Sequence, residues 1–256
     1  DDVYTSAAAG RYPYLPFQMY IIGLSFLLSQ SSTVPFVVLI KLFPILADVA
    51  ITVVIWHAAR RSGADSQKAW FLSLLFAFNP VSILTTSYHG QFDAITILLL
   101  LLGWFFWHFG KKLQASAAFL GLAILSKTWP VIFLPILLMR LRRTQRIVLY
   151  GLITLSIPIA LTVFYTLVLS DDPSVMLRRA LTHSGVRGWW GASGLLAMGS
   201  SNWTALARAG DQLFRLRFFI IAAAAGWALW HTRRQSTLDA LVTILLTVFA
   251  VTVGMG

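Results

Sequence analysis

Asn79-Pro-Val-Ser-Ile-Leu-Thr-Thr-Ser-Tyr-His-Gly-Gln-Phe-Asp93-Ala-Ile95 joins two long apolar runs through a short polar turn. The upstream run is apolar for most of its length and the downstream run is an unbroken Leu-rich stretch, so the turn sits at the mouth of a membrane bundle. An Asp deep in a bilayer costs about 2.5–3.5 kcal/mol, and ionisable residues at such places are candidates for a functional site. The alternative is an exposed interfacial turn of no consequence. Tyr88, His89, Gln91 and Asp93 crowd together here without any Lys or Arg, which favours the functional reading.

Composition sets the class. The chain has 256 residues, 58% hydrophobic and 11% charged, with a mean hydropathy of +0.76, values that belong to a polytopic membrane protein. The formal charge of +11 lies in short clusters between apolar spans. It therefore carries topology rather than a nucleic-acid footprint, and nucleic acid is not an expected partner. With no Cys, disulfides, thiolate metal sites and Cys nucleophiles are excluded. The chain starts without Met and stops inside the apolar run Val251-Thr-Val-Gly-Met-Gly256, so it reads as a fragment lacking both ends.

Working outward from the turn, residues 69–88 are expected to cross in one direction and 93–109 to return, with Pro80 breaking the first of these near its end. Upstream, residues 34–58 span and end before Arg60, Arg61 and Lys68, which marks that end as cytoplasmic. Residues 16–30 are too few to cross and are expected to form a helix lying on the membrane or dipping into it. Lys41, Pro44 and Asp48 share one face of the 34–58 helix. Lys41 is near enough to the outer end to snorkel, whereas Asp48 needs a partner, and both are read as structural intramembrane polar residues.

The charge clusters Lys111-Lys112 and Arg140, Arg142, Arg143, Arg146 both read as cytoplasmic, yet only residues 115–139 separate them. One crossing would put the second cluster on the wrong side, and two need about 40 residues. A broken re-entrant pair of half-helices resolves this, with Ser126-Lys127-Thr128-Trp129-Pro130 at the apex. A lysine held there beside Trp129 suits the neutralisation of a lipid-linked phosphate; the plainer reading is a lysine snorkelling to the interface. Residues 147–169, 212–230 and 238–256 complete six expected spans. The intervening stretch, 170–211, reads as external and carries Arg178, Arg179, Arg187 and Arg208. Its sharpest part, Arg187-Gly-Trp-Trp190-Gly-Ala-Ser-Gly194, combines a guanidinium and indoles suited to phosphate and sugar faces, or to an aromatic belt over a surface loop. The expected organisation is thus 1–33, external loop and juxtamembrane helix; 34–169, a transmembrane module; 170–211, an external loop; and 212–256, further transmembrane helices.

Tyr-Pro-Tyr-Leu-Pro16 before an apolar segment, Lys41-Leu-Phe-Pro-Ile-Leu-Ala-Asp48, Asn79-Pro followed by His-Gly-Gln-Phe-Asp93, and Leu-Ser-Lys127-Thr-Trp-Pro-Val-Ile-Phe-Leu-Pro135 occur in this order over residues 12–140. The succession resembles the GT-C membrane glycosyltransferases, closest to bacterial mannosyltransferases related to the GPI-anchor enzymes and to dolichol-phosphate-glucose glucosyltransferases. The resemblance implies an all-α polytopic bundle in a bacterial plasma membrane, with a site facing outside. It also implies a polyprenyl-phosphate sugar donor, a glycan, lipid or protein acceptor, and an external Asp as general base; Asp2, beside Asp1 and before Val3-Tyr4, is similar to that acidic residue. Under it, Lys127, with Arg187 as second choice, faces the donor phosphate, and Tyr88, His89, Gln91, Asp93, Trp129 and Trp190 line the substrate pocket. No cofactor is implied: the leaving group is already a phosphate, so neither nucleotide nor metal is required, and His89 with Asp93, one helical turn apart if that stretch is helical, gives too few ligands for a metal site. A secondary transporter or flippase would use the same broken helices but predicts an internal repeat, and the two halves show no convincing match. A polytopic scaffold would need neither Lys127 nor the His-Gly-Gln-Phe-Asp turn.

Overall fold

The structure, a computed structural model, describes residues 14–169, 174–176, 178, 204–232, 236, 239, 242–243 and 247. Every regular element among them is helical. The chain forms two compact units, one of residues 1–131 and 143–181, the other of residues 132–142 and 182–256.

The first unit opens with α1 (Phe17–Ser31) and α2 (Phe36–Arg61). α3 (Ser66–Ala77) follows, started by Asp65, whose carboxylate accepts from the Lys68 amide as an N-cap. It stops before Asn79-Pro80, where the Asn79 side chain accepts from the Val81 amide and Pro80 takes the first position of a new turn, Pro80–Ser82. That turn runs into a π-helix, Ile83–Tyr88. The Thr85 hydroxyl donates to the Val81 and Ser82 carbonyls, the back-bonding that bends helices. After the turn come α4 (Asp93–His108) and α5 (Leu113–Ser126), then a 3-10 segment, Trp129–Phe133. The second unit contains α6 (Leu134–Met139) and α8 (Thr204–Thr232), while α7 (Thr144–Leu169) belongs to the first.

Among the described residues, three stretches are long and apolar enough to cross a bilayer: Phe36–Arg61, Ser66–Tyr88 and Thr144–Val168. These correspond to three of the six spans expected from sequence. α4, with 16 residues, is a shorter apolar helix. α8 starts at Thr204, within the stretch read as an external loop, and its apolar part is Phe219–His231. Of 238–256 too few residues are described to place a helix.

Small residues set the packing of the first unit, as they do wherever helices must approach closely without a hydrophobic drive from water. α5 is antiparallel to α4: Thr96 meets Ser126, Gly103 lies against the Ser116 carbonyl, and the Phe106 and Phe119 rings stack. α5 and α7 run parallel, since Ser116 bonds to Tyr150, Thr154 donates to the Ala117 carbonyl, and Leu125 clusters with Leu161. A methyl on Gly121 would stand 2.6 Å from the Thr154 carbonyl oxygen, so only glycine allows this approach.

Two parallel helices in succession require the chain between Ser126 and Thr144 to travel back the length of α5. Residues 115–139 accordingly do not form one continuous helix: α5 ends at Ser126 and a 3-10 segment begins at Trp129. At 1.5 Å per residue the 14 residues of α5 reach about 21 Å, short of the ~30 Å hydrocarbon layer. The basic residues Arg60, Arg61, Lys68, Lys111, Lys112, Arg143 and Arg146 consequently fall at one end of the first unit, and the α4 N-terminus and α5 C-terminus at the other.

α1 forms over the segment expected to lie on the surface. Its outer face exposes Leu24, Phe26, Leu27 and Leu28. The opposite face is held in the bundle: Leu15 and Phe17 against Leu125 and Leu161, Phe17 and Ile21 against Ala47, Ala94 and Ile95, and Met19 and Tyr20 against Tyr165 and Met176.

Candidate functional site

The α4 N-terminus and the α5 C-terminus meet because the two helices are antiparallel and begin and end at the same level. Thr96, one turn into α4, and Ser126, the last residue of α5, exchange a buried hydroxyl hydrogen bond of 2.8 Å. α5 stops there because Lys127 leaves the helical region and is extended, at φ −147° and ψ 143°. Its amide still bonds to the Ala123 carbonyl at 3.0 Å, which ties the extended residue to the helix end.

From that position the Lys127 Nζ lies 2.5 Å from the Asp93 Oδ1. The lysine side chain is 16% exposed and the carboxylate 39%. The ammonium is therefore the inner member of the pair and the carboxylate the more exposed one. Lys127 Nζ also stands 5.3 Å from the centre of the Tyr14 ring, within cation–π range. Gln18, buried on α1, donates to the Ser126 carbonyl at 3.3 Å. α1 thus closes one side of the site through Tyr14 and Gln18. Asp93 is the first residue of its helix, where the N-terminal dipole favours a carboxylate.

The other residues of the polar turn stand beside this pair rather than in it. His89 and Gln91 are exposed, and Tyr88 is 72% exposed with its ring edge-on to His89. Their amides and that of Gly90 are satisfied locally, by the Leu84, Thr85 and Thr86 carbonyls. α4 begins only at Asp93, and Gly90 has φ +70°, so His89 and Asp93 are not one helical turn apart. Trp129, half-buried, opens the 3-10 segment two residues past Lys127.

Lys41 and Asp48 reach the same segment from α2. Lys41 Nζ donates to the Tyr88 carbonyl at 2.8 Å, and Asp48 Oδ2 accepts from the Ser82 hydroxyl at 2.8 Å. Pro44, between them on that face, is buried. Asp2, Arg187 and Trp190 lie outside the described residues.

Sequence reasoning gave no role of their own to Tyr14, Gln18, Thr96 or Ser126, although Tyr14 and Ser126 fall in the motifs quoted for the entry segment and the apex. Gln18 carried a usable signal, an amide in an otherwise apolar segment, where a polar group needs a partner. Thr96 and Ser126 did not, since isolated hydroxyls are common in membrane helices and bond to their own backbone.

No curated protein and no solved structure matches the chain. The family model of glycosyltransferase family 87 matches residues 18–254 and so takes in all but the first residue of α1, both partners of the ion pair and helices α2 to α7. A protein helical in its described residues, with three candidate crossings among them and matched over that length, belongs to glycosyltransferase family 87 and is a membrane glycosyltransferase, with a sugar donor and an acceptor to accommodate.

Proposed function

We propose that the protein transfers a hexose, mannose by its resemblance to the mannosyltransferases, from a polyprenyl-phosphate sugar to a glycan, lipid or protein acceptor on the non-cytoplasmic face. The observation that carries this reading is the Asp93–Lys127 pair, held by a broken half-helix at the end of the bundle away from the basic loops. Positive loops mark the cytoplasmic side, so the pair faces the other. A polyprenyl donor presents its phosphate at the membrane boundary, where the chain offers an ammonium fixed by α5.

The chemistry is displacement at the anomeric carbon. A base removes the acceptor hydroxyl proton, the acceptor oxygen bonds to the anomeric carbon, and the sugar–phosphate bond breaks with its electron pair going to the phosphate. Negative charge grows on that phosphate as it leaves, and a preorganised cation there lowers the barrier. Lys127 takes this role; Asp93 neutralises it until a donor phosphate arrives. Asp2 is the base in this reading, and Arg187 a second phosphate contact. His89, Gln91, Trp129 and Trp190 line the sugar site or hold the loops beside it.

Membranes carrying the protein, given labelled polyprenyl-phosphate mannose and assayed for transfer, test the reading. Wild-type transfer that is lost with Lys127→Ala supports it. Unaltered transfer in that variant removes Lys127 from the mechanism, and no transfer from any lipid-linked sugar overturns the donor class.

A further inference from the structure

The turn that carries His89 and Gln91 leads directly into Asp93, yet its own amides are bonded only to the π-helix that precedes it. Such a turn would drift with the end of that helix unless something outside the segment fixed it. Lys41 is that contact. Its ammonium donates to the Tyr88 carbonyl across 47 positions of sequence, at 2.8 Å. Its stem lies over Gly90: a Cβ there would meet Lys41 Cγ at 3.2 Å and Cε at 3.5 Å. Gly90 is also in the left-handed region, at φ +70°, where a side chain is disfavoured in any case.

We propose that Lys41 is a positioning residue that clamps the Tyr88–Gln91 turn against α2 and so fixes the approach to Asp93 and Lys127. A lysine that merely snorkels to the interface would leave its head among water and lipid headgroups. This one instead satisfies a main-chain carbonyl that its own π-helix leaves unmatched. Asp48 holds the same segment two turns deeper, through Ser82, so α2 grips it at two levels. Asp48 fixes the start of the broken helix, and Lys41 fixes its exit. The link to catalysis rests on the glycosyl-transfer reading above; the clamp itself does not.

The absence of Cys from the sequence allows a clean reporter. A spin label on Ser87→Cys, an exposed position on the π-helix, reads the motion of the turn without any substrate. Lys41→Met keeps the stem over Gly90 and removes the donor; it should mobilise the label and lower kcat for transfer about tenfold while leaving the donor KM unchanged, since Lys127 is untouched. Lys41→Arg, which still donates, should restore both. Gly90→Ala should mobilise the label with Lys41 intact, because the turn must leave its φ. An unchanged spectrum in Lys41→Met overturns the clamp. A mobile label with unaltered transfer overturns its connection to the site. If wild-type membranes transfer no sugar at all, the proposed function fails, and the spectrum still decides the clamp.

Discussion

The stem of α5 and its tip are built on opposite principles. From Ser116 to Leu125 the helix is small-residue and dry: Ala117, Leu120, Gly121, Ala123, Ile124 and Leu125 are buried, and the polar groups there are matched across the helices, Ser116 to Tyr150 and the Ala117 carbonyl to Thr154. Two residues later Lys127 carries a full charge, partly open to solvent and paired with a carboxylate more open still. The difference teaches what each part is for. Close backbone packing fixes the height and direction of the helix end, and a charge placed at that end inherits the precision without being buried at the full cost of an isolated ion.

This contrast can be broken most sharply at the tip. Lys127→Ala should cut sugar transfer by about a hundredfold or more, the usual consequence of removing one preorganised partner of a leaving charge. The thermal midpoint in detergent should change little, since the pair is too open for a large stability term. Loss of folded protein instead of activity would mean that tip and stem are one structural unit.

In the stem the order of effects reverses. Gly121→Val places a side chain against the Thr154 carbonyl and Ile157 and should destabilise the bundle by about 1–3 kcal/mol. Detergent-resistant folded fraction measures it, and transfer per folded molecule should fall far less than in Lys127→Ala. A smaller effect returns the comparison to the tip. Asp93→Asn keeps an oxygen for Lys127 but no charge, and should lower kcat about tenfold through loosened geometry without raising the donor KM. A KM that rises in step would show that Asp93 touches the donor. The smallest change belongs to α2: Asp48→Asn leaves an oxygen for Ser82, so stability should move by less than about 1 kcal/mol and transfer should stay at the wild-type rate.

Much of the architecture is legible in the sequence. Apolar run lengths gave the α2, Ser66–Tyr88 and α7 crossings, Pro80 and Pro130 marked the breaks, and the close spacing of two basic clusters required the segment between them to double back. The helical breaks were readable because proline acts locally, through its missing N–H and its ring. The bounds of α4 were also readable to within one residue, although its 16 residues make it a shorter apolar helix than a full crossing needs. Less readable was α8, whose helix enters the stretch read as a loop, a boundary with no proline to announce it.

The site divides in the same way. Residue types and their places at helix ends nominated Lys127 and, separately, the His89, Gln91 and Asp93 turn, since charge in an apolar setting is costly wherever it occurs; only the family resemblance put them in one site. What paired Asp93 with Lys127 and left His89 and Gln91 exposed was the antiparallel register of α4 and α5, set by Gly103, Thr96 and Ser126. The same holds for Lys41, whose sequence position allowed a snorkelling lysine and whose tertiary neighbour made it a bond to Tyr88. The sequence alone determined the membrane class, the breaks and the candidate charges, because hydropathy and proline geometry are properties of short segments. The tertiary structure decided which charges meet, because a contact across 34 residues depends on how closely two helices approach and at what register, and no local pattern encodes either.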